Sequence, residues 1–345
     1  MTVTTFIAER RSAAATLAPG FLIAVTIAAA ARFVSDHYGA PAMLFALLIG
    51  MAFHFLSVEA NCAPGVEFTS KRLLKIGVAL LGARVTLDQI ASLGAGPVIL
   101  IPILIVVTIL SGVAFAKAMG KERAFGLLSG GAVAICGASA ALAISAVLPK
   151  SDAMRRDTLF TVIAVTSLST IAMVLYPVVF DVQGFSETQI GVLLGASIHD
   201  VAQVVGAGYA VSNEAGDIAT YVKLLRVSCL PVVVLFFALV LKTGDQAGPD
   251  DAAPAKPPFP WFAVWFAIIL LANSFGLLPS VIREAMVWIS GWLLIAAIAA
   301  LGMKTSLKAM IDLGGLHIGV VVAETLFLMG AAIVAVKFFL GEAGG

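Results

Sequence analysis

Charged residues are scarce in this chain. Asp, Glu, Lys and Arg together make up 12% of its 345 residues, whereas 61% are hydrophobic. A soluble domain cannot cover so much apolar surface, so the composition excludes that class and predicts an integral membrane protein in a lipid bilayer. The net charge of +1 provides no basic excess for nucleic acid, and no such partner is expected.

Cysteine is rare as well. Cys62, Cys136 and Cys229 lie in or beside apolar segments, without metal-ligand or CxxC spacing. This spacing excludes a disulfide framework, and small buried hydrophobic side chains are the predicted role. The sequence has no GxxxxGK[ST] motif, so gradients or a partner would supply any energy that the protein needs. No cofactor is expected.

Apolar runs dominate what remains, and most approach the ~20 residues that a spanning helix needs. They cover residues 17–34, 41–57, 73–83, 97–116, 124–148, 159–180, 190–211, 222–241, 259–275, 282–303 and 315–339. We predict an all-α membrane protein with ten or eleven transmembrane helices. The predicted parts are an N-terminal cytoplasmic segment (1–16), a first helix group (17–241), a polar Pro-rich loop (242–258) and a second helix group (259–340).

The distribution of basic residues bears on orientation. Basic clusters occur at residues 10–11, 71–75, 117–123 and 150–156. The first three fit a cytoplasmic N-terminus by the positive-inside rule. If residues 124–148 cross the membrane fully, the fourth cluster falls on the opposite side. Either that segment is re-entrant, or the charge rule fails there.

A weak internal repeat supports a transporter architecture. A shift of 220 positions aligns residues 74–94 with residues 294–314 without a gap. Seven identical residues coincide, Arg84 meets Lys304, and Thr86 meets Ser306. Chance similarity between apolar helices is the alternative. Inverted repeats around broken helices are typical of secondary transporters, whose binding site lies near the middle of the bilayer.

The first interrupted span contains the string GGAVAICGAS. Irregular or glycine-rich backbone is tolerated in the membrane interior only where it lines a cavity or is buried in protein. A helix that restarts near Gly137 would present backbone N–H groups and a positive dipole end to an oxyanion. The alternative is close helix packing at small residues. The candidate substrate-binding residues here are Gly130, Gly131, Cys136, Gly137 and Ser139.

The second interrupted span, GASIHDVAQVVGAG, places Ser197, His199, Asp200 and Gln203 deep in apolar sequence. Ionisable residues at such depth are costly and are functional candidates by default. We interpret Ser197 and Gln203 as substrate-binding residues and His199 with Asp200 as an ion-coupling pair. A structural hydrogen bond between His199 and Asp200 is the alternative.

Two further charged residues lie in apolar runs. Arg226 could pair with Asp200, bind an anion with two parallel hydrogen bonds, or extend to the interface. Glu324 is deep enough to need a partner, for which Lys304 and Lys337 are candidates.

Four strings of the sequence resemble the YeiH family of proposed sulfate exporters. They are LLKIGVALLGARVTL (residues 73–87), GGAVAICGASAALAISAVLPK (residues 130–150), GASIHDVAQVVGAGYAVS (residues 195–212) and KLLRVSCLPVVV (residues 223–234). The resemblance implies a multi-pass protein of the bacterial inner membrane. It also implies a relation to bile-acid and cation/proton transporters, which have crossed, broken helices.

The sequence thus predicts a secondary transporter of a small anion, sulfate or a related sulfur compound, coupled to protons. A Na⁺-coupled organic-anion symporter is the nearest alternative. An intramembrane enzyme is a weaker one, because His199 and Asp200 lack a nucleophile or a metal-ligand set. A structural or sensory membrane protein is another. A homo-oligomer is compatible with the sequence.

Overall fold

The computed structural model describes residues 3–38, 41–149, 151–241, 260–305 and 316–339, and all regular structure in these ranges is helical. The α-helices are α1 Val3–Tyr38, α2 Ala42–Ala52, α3 Ala63–Phe68, α4 Leu74–Leu80, α5 Leu87–Ser92, α6 Gly96–Ala118, α7 Arg123–Ala134, α8 Ala138–Ser145, α9 Asp152–Val182, α10 Glu187–Ser197, α11 Val201–Val211, α12 Asn213–Ser228, α13 Leu230–Leu241, α14 Trp261–Ser274, α15 Ser280–Lys304 and α16 Leu316–Phe339. A π-helical turn (Thr69–Leu73) joins α3 to α4, and a 3-10 turn (Leu81–Ala83) follows.

Six segments are long and apolar enough to cross a membrane by themselves. They are Ala15–Tyr38, Gly96–Ala118, Asp152–Val182, Asn213–Val240, Ser280–Lys304 and His317–Phe338. The chain is therefore a multi-pass, all-α membrane protein, as predicted. The first helix begins at Val3, well before the predicted boundary at residue 17, and the predicted loop 242–258 lies outside the described residues.

The segment 124–148 turns back inside the protein. Phe125, near the start of α7, and Phe160, near the start of α9, both pack on His317, with ring centroids 5.1 and 5.4 Å from its ring. Both helices thus begin at the same face of the protein. Gly131 of α7 also contacts Ile144 of α8, so the two short helices lie side by side. Together α7 and α8 form a re-entrant hairpin, here called hairpin 1.

The second broken segment has the same form. A Cβ placed at Gly191 of α10 would lie 2.9 Å from Ala215 O, and one at Gly208 of α11 would lie 3.1 Å from that same oxygen. In one straight helix these glycines would be about 25 Å apart. Hence α10 and α11 also turn back, and they form hairpin 2. Both breaks are turns of hairpins, which differs from the crossed helices that the resemblance implies.

The two hairpins enter from opposite faces, which resolves the conflict over charge. Because hairpin 1 returns to its own face, the clusters at 117–123 and 151–156 lie together, on what we call the basic face. Lys304, at the end of α15, reaches the same face, where it pairs with Glu67. Thus nine of the membrane segments in the described ranges run from face to face and two turn back. The positive-inside rule predicts that the basic face is cytoplasmic.

The helices sort into two groups. The hairpin bundle contains α6, both hairpins, α9, α12, α13 and α16, and the flanking bundle contains α1 to α4, α14 and α15. Glycines give close contacts within each group, as where Gly112 of α6 meets Gly126 of α7. The groups meet where α11 packs on α2 and α15. The repeat partners α4 and α15 run antiparallel. Ser290 Oγ donates to Gly77 O at 2.7 Å, whereas Glu67, which precedes α4, pairs with Lys304 at the end of α15. The aligned positions 306–314 lie outside the described residues.

Candidate functional site

The tips of the two hairpins meet in the interior of the hairpin bundle. Hairpin 1 turns at residues 135–137, where Gly137 has φ +61° and ψ −122°, a conformation that side chains with a Cβ disfavour. Hairpin 2 turns at residues 198–200, where the extended conformation of Ile198 ends α10. A Cβ at Gly137 would lie 3.4 Å from His199 Cβ, so the two turns are in contact.

Two cationic side chains of α12 hold both tips. Lys223 Nζ donates to Ile135 O at 2.7 Å and to Ile198 O at 2.9 Å. Its side chain is fully buried. These carbonyls belong to the C-terminal ends of α7 and α10, where the helix dipole places negative partial charge and where carbonyls lack helical partners. Lys223 therefore joins the two hairpins through their unpaired ends.

Arg226 makes the same connection with more hydrogen bonds. Its Nε donates to Ala134 O at 3.0 Å and its Nη2 to Val133 O at 2.8 Å, both in hairpin 1. Its Nη1 donates to Gly195 O at 3.1 Å and to Ile198 O at 3.0 Å, both in hairpin 2. The guanidinium thus binds carbonyls, and neither Asp200 nor the membrane interface takes up its donors.

The depth of these cations follows from where α12 begins. The apolar run starts at Val222, but Ser212 caps a helix that starts at Asn213, with its side chain accepting from Ala215 N at 3.1 Å. Lys223 thus lies about 15 Å along α12, which is half of a ~30 Å hydrocarbon core. Lys223 was not among the site residues predicted from the sequence, although a capping serine ten residues before the apolar run was the available signal.

Asp200 forms the N-cap of α11. Its Oδ1 accepts from Ala202 N at 2.8 Å, and its backbone N donates to Ser169 Oγ of α9 at 3.1 Å. Gln203, one turn later and fully buried, donates from Nε2 to Thr170 Oγ1 at 2.8 Å. The Gln203 Oε1 atom is buried without a protein partner. Hairpin 1 has no equivalent cap, because α8 begins after Gly137 without a side-chain hydrogen bond.

Neighbouring residues of α16 contact the two hairpins. Thr325 Oγ1 donates to Val321 O at 2.7 Å, so its oxygen accepts from His199 Nε2 at 3.0 Å. The Nδ1 atom of His199 is buried without a partner. Ser129 Oγ of hairpin 1 lies 2.7 Å from Glu324 Oε1. Glu324 contacts neither of the lysines that the sequence suggested as partners.

The remaining predicted residues divide between the tips and the helix contacts. Cys136 is buried in the first turn. Gly130 packs on Ile109 of α6 and Gly131 on Ile144 of α8, so both glycines serve helix packing in this structure. Ser197 is buried and donates to Leu193 O at 2.6 Å within its own helix. Ser139 lies on the exposed side of α8.

A cavity of about 510 Å³ opens at the face opposite to the basic face. It lies between α5 and the starts of α10 and α12, and Thr188, Glu214 and Tyr221 are among its lining residues. Beside it, Arg84 of the flanking bundle pairs with Asp217 of the hairpin bundle, with Nε to Oδ2 at 2.9 Å. This ion pair is a polar contact between the two bundles.

Comparison with known proteins places the chain in a family. A family model described as "Conserved hypothetical protein 698" matches residues 19–321. A UPF0324 membrane protein of Chlorobaculum tepidum is 51% identical over 311 residues, which cover 90% of this chain and 86% of that protein. One from Rhizobium meliloti is 49% identical over 327 residues, covering 95% and 94%. The UPF0324 membrane protein TauZ of Paracoccus denitrificans is 49% identical over 311 residues, covering 90% and 92%.

No solved structure matches the chain. These relatives are named as membrane proteins, which agrees with the membrane-spanning helices described above. The link to sulfate export and to bile-acid transporters rests on the sequence resemblance alone. The chain belongs to the UPF0324 family of membrane proteins, the family of conserved hypothetical protein 698.

Proposed function

We propose that this protein is a secondary active transporter of a small anion, coupled to protons, which works by alternating access around the hairpin tips. One observation carries the proposal: two re-entrant hairpins meet at mid-depth, and two buried cations hold their carbonyl ends. Opposed helix ends near the middle of the bilayer are a recurrent way to bind ions in transporters.

The charge at the tips favours an anion. Lys223 and Arg226 contribute two positive charges and Asp200 one negative charge, which gives +1. Two helix C-termini and two helix N-termini meet there, and their partial charges of about −0.5 and +0.5 each cancel. An uncompensated positive charge in the membrane interior is costly, so a bound anion would stabilise this arrangement.

The N-terminal end of α8 is the proposed anion-binding group. Its first N–H groups have no helical acceptor and no side-chain cap at Gly137, whereas the Asp200 carboxylate already caps α11. The N–H groups after Gly137 and the side chain of Gln203 would contact the substrate. Lys223 and Arg226 act mainly by charge, since carbonyls take up two of the three N–H donors of Lys223 and four of the five of Arg226.

The same contacts weigh against Na⁺ as the coupling ion. Carbonyl oxygens at the C-terminal ends of broken helices are typical Na⁺ ligands in transporters. Here Lys223 and Arg226 donate to five of these oxygens, so two cationic side chains lie where a bound Na⁺ would need carbonyl ligands. Protons are the coupling ion that this arrangement favours, and His199 and Asp200 remain the predicted coupling pair.

Sulfate, a related sulfur oxyanion or a sulfonate is the proposed substrate, on the basis of the sequence resemblance. The test is counterflow of radiolabelled sulfate into proteoliposomes of purified protein, with sulfite, thiosulfate, taurine and chloride as competitors. The pH and the Na⁺ concentration are varied independently. Saturable uptake that responds to pH but not to Na⁺ is expected. Stimulation by Na⁺ at constant pH would favour the organic-anion symporter instead.

A charge variant tests the site within the same assay. Gln203→Glu keeps the size of the side chain and adds a negative charge at the tips, so we expect a weaker apparent affinity for every transported anion. Gln203→Met removes the amide without adding charge and is the matched control. Equal affinities for the anion in wild type and Gln203→Glu would contradict the proposed site. If folded protein transports none of the five compounds, they are excluded as substrates.

A further inference from the structure

Glu324 is a carboxyl group that the site described above does not use. It is fully buried at the junction of α6, α7 and α16. A Cβ at Gly112 of α6 would lie 2.7 Å from Glu324 Oε1, so the glycine provides the space for this carboxyl group. No lysine, arginine or histidine in the described part of the chain forms an ion pair with Glu324. Its Oε2 atom has no hydrogen-bond partner.

The hydrogen bonds around Ser129 determine where the proton lies. Ser129 Oγ is 3.0 Å from Phe125 O and 2.7 Å from Glu324 Oε1, but a hydroxyl group has only one proton to donate. If Glu324 is ionised, one of these two contacts has no proton. If Glu324 is protonated, it donates to Ser129 Oγ, and Ser129 donates to Phe125 O. Both hydrogen bonds then form, and no unpaired charge is buried.

Glu324 is also connected to both hairpins. Its own hydrogen bond reaches Ser129 of hairpin 1, and the next residue, Thr325, accepts from His199 of hairpin 2. The other helices packed on α16 are α6, α7, α9 and α10, and their charged side chains lie mainly near the helix ends. The charged residues are Lys117 on α6, Arg123 on α7, Asp152, Arg155, Arg156, Asp157 and Asp181 on α9, and Glu187 on α10. One further titratable residue, Tyr176 of α9, lies away from the helix ends.

We infer that Glu324, in place of the His199–Asp200 pair predicted from the sequence, carries the coupling proton of the transporter. Ser129 accepts its hydrogen bond while the proton is bound. This inference rests on the proposed function. With Glu324 protonated, Lys223, Arg226 and Asp200 leave a charge of +1 for an anion. Ionisation of Glu324 brings the sum to zero and removes the electrostatic advantage of a bound anion. Proton and anion therefore bind together and leave together, which is symport.

The pH dependence of sulfate affinity tests this coupling. Where one proton is taken up with each anion, the apparent affinity for radiolabelled sulfate falls by about tenfold per pH unit on the alkaline side. Glu324→Gln, which keeps the shape and can still donate to Ser129, is expected to lose this slope. Glu187→Gln makes the same change at the exposed start of α10 and is expected to keep it. The inference is overturned if Glu324→Gln keeps the pH dependence of the apparent affinity, or if only Asp200→Asn loses it.

An infrared measurement tests the proton itself without any transport. The carbonyl stretch of a protonated carboxylic acid should be present in the difference spectrum between wild type and Glu324→Gln at neutral pH. It should be absent from the difference between wild type and Glu187→Gln. If the wild-type protein transports no anion, the proposed function is refuted. The infrared band still shows whether Glu324 is protonated. If the band is missing from the first difference spectrum, Glu324 is ionised and the inference fails.

Discussion

Arg226 should be one of the most important side chains for stability in this protein, although it is a charged residue inside a membrane helix. Replacement by Met keeps most of the length and removes every donor. Val133 O, Ala134 O and Gly195 O then lose the donors seen in the structure, whereas Ile198 O keeps Lys223 at 2.9 Å. Each buried unpaired group costs about 1–3 kcal/mol, so three carbonyls amount to about 3–9 kcal/mol.

Removal of a buried charge offsets part of that cost, because the charge no longer has to be desolvated. We therefore expect Arg226→Met to lower the free energy of unfolding by about 3–5 kcal/mol, the lower part of the range for three unpaired carbonyls. At about 2 °C per kcal/mol for a chain of this size, the midpoint of thermal unfolding should fall by about 6–10 °C. Arg226→Lys keeps the charge but can form fewer hydrogen bonds, so its unfolding midpoint should lie between those of the wild type and Arg226→Met.

The assay is the midpoint of thermal unfolding in mild detergent, followed by the monodisperse fraction in size-exclusion chromatography. Arg84→Met is the matched control, because Arg84 makes one ion pair and its side chain is 29% exposed. An ion pair of this kind contributes about 1 kcal/mol or less, which corresponds to a shift of about 2 °C. If Arg226→Met shifts the midpoint no more than Arg84→Met does, the assigned role of Arg226 is refuted.

Three further predictions concern the hairpins. Gly137→Ala should destabilise the protein by about 1–3 kcal/mol, because φ of +61° with ψ of −122° is strained for alanine, and thermal unfolding measures this change. Gly112→Ala should cost about 1–3 kcal/mol, since its Cβ would lie 2.7 Å from backbone atoms of α7, whereas Gly96→Ala meets nothing within 4 Å and should leave the midpoint unchanged. Single cysteines at Glu122 and Asp152, in a protein without its native cysteines, should react with an impermeant maleimide from the same side of the membrane; reaction from opposite sides would contradict the re-entrant form of hairpin 1.

The sequence was sufficient for the class of fold and for the position of the helix breaks. Composition and apolar run lengths predict an all-α membrane protein. The strings GGAVAICGAS and GASIHDVAQVVGAG contain the two turns that the structure shows, at residues 135–137 and 198–200. These positions were predictable because small and polar residues interrupt an apolar run only where protein surrounds the backbone.

Re-entry was harder to predict, because a hairpin and a spanning helix can use the same number of apolar residues. A run of 25 residues is long enough to cross, and the reversal at hairpin 1 depends on one glycine with a positive φ. Hydropathy does not record that dihedral angle. The misplaced basic cluster at residues 150–156 was the indirect signal, and it left re-entry as one of two interpretations.

The roles of the buried charges depended on tertiary contacts. In the string KLLR, two basic residues precede an apolar run, a pattern that also fits the interface of a membrane. Their depth follows from the polar first turns of α12, which begin at Asn213 and which hydropathy assigns to a loop. The partners of Arg226 lie 28 to 93 residues away in the chain, so spacing alone could not identify them.

The shared cations also constrain how the protein can move. Ile198 O accepts from both Lys223 and Arg226, and each of these side chains also binds hairpin 1. Displacement of one hairpin alone would break several buried hydrogen bonds, whereas displacement of both with α12 would break none of them. The interface with the flanking bundle includes the Arg84–Asp217 pair, which lies beside a cavity and is partly exposed. We therefore expect alternating access to proceed by movement of the whole hairpin bundle against the flanking bundle, because that boundary has the weaker polar contacts.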